Sequence, residues 1–262
     1  MTDIEKGSIG VEEHSAEEKL EIFEAQQEVM KKISEVGFAN YAETLPNLSD
    51  AFDLEKHKPA EDVHKCICCM DERTPFGVHS AGSGILLSEE DFDKYFEESR
   101  ADSISSHDGC GAAKLFAKKM GLEGDPDAIA REWAEKKAKE KGVPHVHLGV
   151  EKPFHFARVC YYDATGKFNY DGVEGLPEGF VVGRKYMNKD SSLAEAGVAK
   201  DIIFGDHGFG EELLNAENPF MFVAIADTEK EVEALKKELE EFSKDMGDSI
   251  VVDGFVAPKT KK

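Results

Sequence analysis

A seven-residue apolar run, Phe220-Met221-Phe222-Val223-Ala224-Ile225-Ala226, is followed by a capped helix pattern and a second apolar run, Ile250-Val251-Val252. Thr228 with Glu231 three residues on opens the helix, and Val232, Leu235, Leu239 and Phe242 share one of its faces. The same alternation recurs upstream. Strand-like segments are expected at 63–70, 102–106, 145–150, 155–163 and 180–186, with Asp201-Ile202-Ile203-Phe204 as a further candidate. Helices are expected at 111–120 and at 126–141, the second opened by Pro126 and Asp127 and closed by Gly142. Strands that alternate with helices specify an α/β protein, here with a mostly parallel central sheet flanked by helices. Sheets of that kind bind ligands outside the carboxyl ends of their strands.

The first dozen residues read as unstructured. Ser15 and Glu18 then form a capping box, and Leu20, Ile22, Phe23, Val29, Met30, Ile33 and Val36 make a helical stripe that stops at Gly37. This amphipathic arm would pack on the body or on a second subunit. Leu45–Asp50 reads as loop, and His79-Ser80-Ala81-Gly82-Ser83-Gly84 as a flexible, glycine-bearing loop. The expected organisation is an amino-terminal arm over 1–55, a metal-binding core over 56–170 and a carboxyl-terminal α/β extension over 171–262 packed on the core.

A length of 262 residues allows a sizeable core, and a hydrophobic content of 40% with 17 Phe fits a globular chain. The formal charge of −22 excludes nucleic acid and anionic membrane as expected partners, because either needs a basic footprint. Neither a secretory signal nor an apolar run of about 18 residues is present. Of five cysteines, three are packed into Cys66, Cys68 and Cys69, a poor disulfide framework. A reducing, cytoplasmic setting is the expectation.

Chemistry concentrates in Cys69-Met70-Asp71-Glu72-Arg73 and His107-Asp108-Gly109-Cys110, both at expected strand ends. Cys69, His107 and Cys110 offer three ligands, which suits a catalytic metal that keeps its fourth position open. The helix that starts at Gly111 turns its positive end toward Cys110 and favours the thiolate. A structural four-ligand site that adds Cys66 is disfavoured, since three residues along a strand put the two side chains on opposite faces. Cys66 and Cys68 then read as small buried residues. Asp71 and Arg73, two residues apart, share a side of an extended segment. Paired with Arg73, Asp71 stays ionised and clear of the metal, available to accept a proton. Asp206-His207-Gly208-Phe209-Gly210 echoes the His107 loop without a cysteine and reads as a turn, while His145 and His147 read as strand residues.

With these motifs in order, the chain resembles the β-class carbonic anhydrases, which carry a Cys-x-Asp-x-Arg segment and a later His-x-x-Cys. Ala157–Gly166, including Tyr162-Asp163-Ala164-Thr165-Gly166, looks like that family's late strand and its turn. The resemblance covers roughly residues 60–170. It implies a β-carbonic-anhydrase-like fold and one Zn²⁺ per chain, held by Cys69, His107 and Cys110. It further implies reversible hydration of carbon dioxide to bicarbonate by metal-bound hydroxide, with Asp71 and Arg73 as catalytic residues. Ser80, Ala81, Gly82 and Ser83 would line the substrate pocket, and a homodimer or higher homo-oligomer would form. Four departures stand out: Glu72 where the family usually has Ser, His79-Ser80-Ala81-Gly82-Ser83 where it reads Arg-Asn-Ala-Gly-Asn, only 37 residues between Cys69 and His107, and Gln26 and Gln27 in the arm with no clear substrate-side glutamine. The altered 79–84 loop leaves open a hydrolase of a carbon dioxide analogue, carbonyl sulfide or carbon disulfide. A non-catalytic zinc or redox sensor that uses Cys66, Cys68 and Cys69 is the other alternative.

Overall fold

The computed structural model describes residues 16–53, 56, 65–74, 77–149 and 154–259. The Ser15 cap, the first dozen residues, the start of the 63–70 strand and the end of the 145–150 strand lie outside them. The chain is α/β, with parallel strands throughout, divided into two four-stranded sheets flanked by helices.

Helices α1 (Ala16–Val36) and α2 (Phe38–Glu43) come first. The first sheet is built from β1 (Cys66–Cys68), β2 (Val78–His79), β3 (Ser103–His107) and β4 (His145–Leu148). Its crossovers carry α3 (Glu89–Ser99), α4 (Gly111–Met120) and α5 (Pro126–Lys141). The second sheet contains β5 (Val159–Asp163), β6 (Phe180–Val182), β7 (Phe220–Ala226) and β8 (Ile250–Val256), with α6 (Lys189–Phe204), α7 (Gly210–Leu213) and α8 (Glu229–Ser243) between them. The spatial orders are β2-β1-β3-β4 and β6-β5-β7-β8, so the second sheet repeats the winding of the first. The echo at Asp206–Gly210 is no part of that repeat. It is a turn between α6 and α7, whereas the second-sheet counterpart of His107 is the end of β7.

The helix ends follow local chemistry. Asp125 caps α5 by accepting from Asp127 N, and Gly142 ends it in the left-handed conformation. Thr228 caps α8 through Glu231 N at 3.3 Å, and Val232, Leu235 and Leu239 are buried. Four helices were not legible in the sequence, the short α2 and α7 and the longer α3 and α6. α3 is so acidic that Phe92, Tyr95 and Phe96 alone mark its apolar face, although Ser88 caps it through Asp91 N. In α6, Asn188 accepts from Ser191 N, and Ser192, Glu195, Ala196, Ala199 and Ile203 are buried at helical spacing. Asp201–Phe204, expected as a strand, is therefore the last turn of α6. Four residues are too few to distinguish a period of two from 3.6. The 45–50 loop runs into a 3₁₀ turn at Leu48–Phe52.

Every residue of β7 is buried, and its side chains alternate between two cores. Met221, Val223 and Ile225 join Val159, Tyr161 and Val181 against Met30, Ile33, Phe38 and Phe52. Phe220, Phe222 and Ala224 join Cys160, Tyr162 and Val182 in the core shared with the first sheet. A parallel sheet covered on both faces demands such runs, and each fully buried Phe or Ile contributes about 1.5–3 kcal/mol. α1 spans both cores, with Phe23 in one and Met30 and Ile33 in the other, while Leu20 and Val36 are exposed. Main-chain hydrogen bonds from Val181 N to Met70 O and from Gly183 N to His79 O hold β6 beside the exits of β1 and β2. The second sheet is thus packed against the place where the sequence motifs emerge.

Candidate metal centre

β1 and β3 are hydrogen-bonded parallel neighbours, so the segments that leave their carboxyl ends emerge side by side. Cys69 follows β1, His107 ends β3, and Cys110 is the N-cap of α4. Their ligand atoms all lie within 4.8 Å of one another, and all three residues are buried. This buried Cys-His-Cys group can hold a metal ion. Cys66 and Cys68 are not part of it; they pack with Val146 in a separate small cluster.

Three observations fit a soft cation here. His107 Nδ1 donates to the carbonyl of Asp108 at 2.8 Å, which turns Nε2 toward the cluster. Nε2 itself is buried without a hydrogen-bond partner. A buried nitrogen left without a partner is costly unless a ligand completes it. Two thiols and an imidazole are the donor set that suits zinc or a similar metal. Burial pushes the Cys69 thiol well up, an expensive state to ionise without a cation, while Gly82 N donates to its Sγ at 3.1 Å. A bound dication reverses that balance by deprotonating the thiol outright.

The 80–84 segment forms one wall, and it is a tight buried turn rather than a flexible loop. Gly82 has φ +57°, and a Cβ there would lie 2.5 Å from Ile85 Cγ2 and 3.5 Å from Cys110 Sγ, so only glycine fits. The amides of this turn are engaged: Ala81 N on Glu195, Gly82 N on Cys69 Sγ, and Ser83 N on Ser80 O. Ser80 Oγ donates to Glu195 Oε1 at 2.5 Å, and Ser83 Oγ meets Ser105 Oγ at 3.3 Å. The opposite wall is pinned by Asp127, whose carboxylate accepts from Gly109 N at 2.9 Å and Cys110 N at 3.3 Å.

Arg73 clamps Asp71 in a two-pronged ion pair, with Nε to Oδ1 at 2.7 Å and Nη2 to Oδ2 at 2.5 Å; both side chains are almost fully buried. Burial opposes ionisation of Asp71, but His155, the Arg73 hydrogen bonds and His107 outweigh it and hold the carboxyl well below the usual carboxylate range. Asp71 Oδ2 lies 3.8 Å from His107 Nε2. A carboxylate oxygen, kept ionised and turned by Arg73, therefore stands at the edge of the ligand cluster.

Glu72 and His155 carry roles that the sequence did not reveal. Glu72 Oε1 accepts from Phe156 N at 2.7 Å and Oε2 accepts from His155 Nδ1 at 3.0 Å, while Tyr170 donates to the Glu72 carbonyl. His155 Nδ1 is 3.8 Å from Asp71 Oδ2, and its Nε2 is 3.5 Å from Arg73 Nη2. Asp71, Glu72 and His155 thus form a second buried group with metal-ligand atoms in reach of one another. Arg73 already pairs with Asp71 in that group, and the Glu72 oxygens are taken by Phe156 N and His155 Nδ1. It reads as a hydrogen-bonded network beside the metal position. Its sequence signal is Glu72 beside Asp71; His155 sits 83 residues downstream with no motif around it.

His145 and His147 are strand residues, and Ser106 Oγ lies 2.9 Å from a ring nitrogen of each. No helix of the described residues is long and apolar enough to cross a membrane. No protein-family model, curated protein or solved structure matches the chain.

Proposed function

We propose that the chain is a zinc-dependent, carbonic-anhydrase-like lyase similar to the β class, which hydrates carbon dioxide reversibly to bicarbonate. The observation that carries the proposal is the buried Cys69-His107-Cys110 group with the Asp71–Arg73 ion pair set against its edge. When bound, a divalent cation supplies Lewis acidity and brings the pKa of a coordinated water toward neutrality.

The chain's own residues would do the rest. Asp71, ionised and clamped by Arg73, is placed to accept a proton beside the ligand cluster. His155, which donates from Nδ1 to Glu72 and stands 3.8 Å from Asp71 at the same nitrogen, would help hold that carboxylate in position. The buried 80–84 turn and the 108–111 segment exclude water and keep the ligand geometry, since each is tied down by a carboxylate, Glu195 or Asp127. Ile202 of α6 presses against Gly111, so the second half of the chain contributes apolar packing to the site. A homodimer or larger homo-oligomer is part of the proposal, to be read by sedimentation equilibrium.

Stopped-flow carbon dioxide hydration on metal-quantified protein, before and after chelation, tests the function. Rapid hydration that disappears with the metal is the expected result. Stoichiometric zinc without hydration would overturn the activity and direct the assay to carbonyl sulfide, carbon disulfide or a non-catalytic role.

A further inference from the structure

Arg158 is the largest of the fully buried side chains, with 2% of its surface exposed, and it precedes β5 at the end of the second sheet away from the strand carboxyl ends. Buried arginines normally face a carboxylate, because an isolated charge is expensive to remove from water. Among the described residues Arg158 faces none. Its guanidinium donates from Nη1 to Gln27 Oε1 at 3.1 Å and stacks over the Phe23 ring at 4.3 Å. Its Nε is buried without an acceptor. Burial alone pushes its pKa down to about 10, with no neighbouring negative charge to restore it.

This unpaired cation lines a cavity of about 400 Å³ between α1 and the turn before β7. The remaining lining is Gln27, Met30, Lys31 and Ser34 of α1, and Glu217, Asn218 and Pro219 of the turn. Lys31 adds a second positive charge, and Ser34 and Asn218 add polar groups at the rim. Glu217 is the anion of this lining, but it is exposed, and no ion pair joins it to Arg158. A planar guanidinium fork under-supplied with acceptors, in a cavity of metabolite size, is complementary to a carboxylate or a phosphate.

We infer that the cavity under α1 is a binding site for a small oxyanion, a carboxylate or phosphate group that pairs with Arg158 and is distinct from the metal centre. Gln27 is its gate: the Oε1 now accepting from Arg158 marks where a ligand oxygen would compete, and Gln27 Nε2 is anchored on Asn218 Oδ1 at 2.8 Å.

Gln27→Glu supplies a built-in carboxylate beside Arg158, in exchange for the Nε2 hydrogen bond to Asn218. Isothermal titration of the full chain with inorganic phosphate and, separately, with succinate at fixed ionic strength is the experiment. Chloride serves as the control, and thermal unfolding follows the same series. The expected result is saturable binding of at least one oxyanion to the wild type and at least tenfold weaker binding to Gln27→Glu. The variant itself should melt higher than the wild type without ligand. Arg158→Lys, which keeps the charge but loses the fork, should also weaken binding. Preference for phosphate or for succinate identifies which oxyanion the site takes. The inference is overturned if neither anion binds the wild type beyond the chloride control. Equal binding to wild type and Gln27→Glu would overturn it too, since that places the anion elsewhere, the metal centre included.

Discussion

Replacing Glu195 with Gln should change how the stability of this protein depends on pH, by an amount that follows from its surroundings. Glu195 lies on α6, is 2% exposed, and accepts from Ser80 Oγ at 2.5 Å and from Ala81 N. Its second oxygen, Oε2, has no partner among the described residues. Burial raises its pKa from 4.5 to about 7, and the two hydrogen bonds offset only part of that rise. Tyr95 and Cys160 stand near it, and burial pushes both upward, so they stay neutral through this range. In the unfolded chain the carboxyl loses its proton near 4.5, whereas the folded protein keeps it until about 7. The folded state therefore binds more protons between those values. Stability from this group is fully present below the lower value, falls as pH rises through the window, and levels off above the upper one. A tenfold difference in proton affinity between the two states is worth about 1.4 kcal/mol, so crossing the whole window costs about 3 kcal/mol. A glutamine cannot ionise and can still accept from Ser80 and Ala81. Urea unfolding of wild type and Glu195→Gln at pH 5 and pH 8 isolates the effect as a difference of differences, in which any cost of the amide itself cancels. The wild type should lose about 2–3 kcal/mol more than the variant over that interval, since the unfolded carboxyl is already largely ionised at pH 5. Parallel losses would refute the reasoning and mean that Glu195 is already ionised in the fold.

Cys110→Ala removes one of three ligands and should leave the purified protein without stoichiometric metal by elemental analysis; full occupancy would remove Cys110 from the ligand set. Asp71→Asn should retain metal yet slow carbon dioxide hydration about a hundredfold or more, the scale of a lost proton acceptor. Unchanged turnover would take Asp71 out of the reaction. Gly82→Ala forces a side chain into a left-handed conformation and onto Ile85, so it should cost about 1–3 kcal/mol in denaturant unfolding and weaken metal retention. An unchanged midpoint with full metal would show that the turn can move aside.

The chain's local chemistry made part of this legible. Capping residues defined the starts of α5 and α8, and Gly142 the end of α5, because those signals act within one turn of backbone. The run at 220–226 announced a fully buried strand, since a parallel sheet covered on both faces leaves no polar register. Cys69, His107 and Cys110 stood out because their spacing places them at the ends of β1 and β3, which are neighbours. Asp71 and Arg73 were readable because they pair across two residues.

Tertiary structure alone decided the rest. That the strands form two sheets of the same winding depends on which edges pair, and hydrophobic pattern does not encode edges. The strand expected at 201–204 became the end of α6 because Ala196, Ala199 and Ile203 bury together at helical spacing, a fact of packing. The partners that hold the site come from far along the chain: His155 to Glu72, Glu195 to Ser80, and Asp127 to Gly109 and Cys110. A carboxylate's role depends on what folding brings within about 3 Å of it, and spacing in the chain carries no record of such distant encounters. Arg158 is the clearest instance. By sequence it is one more basic residue before a strand, and only burial without a carboxylate turns it into a candidate binding site.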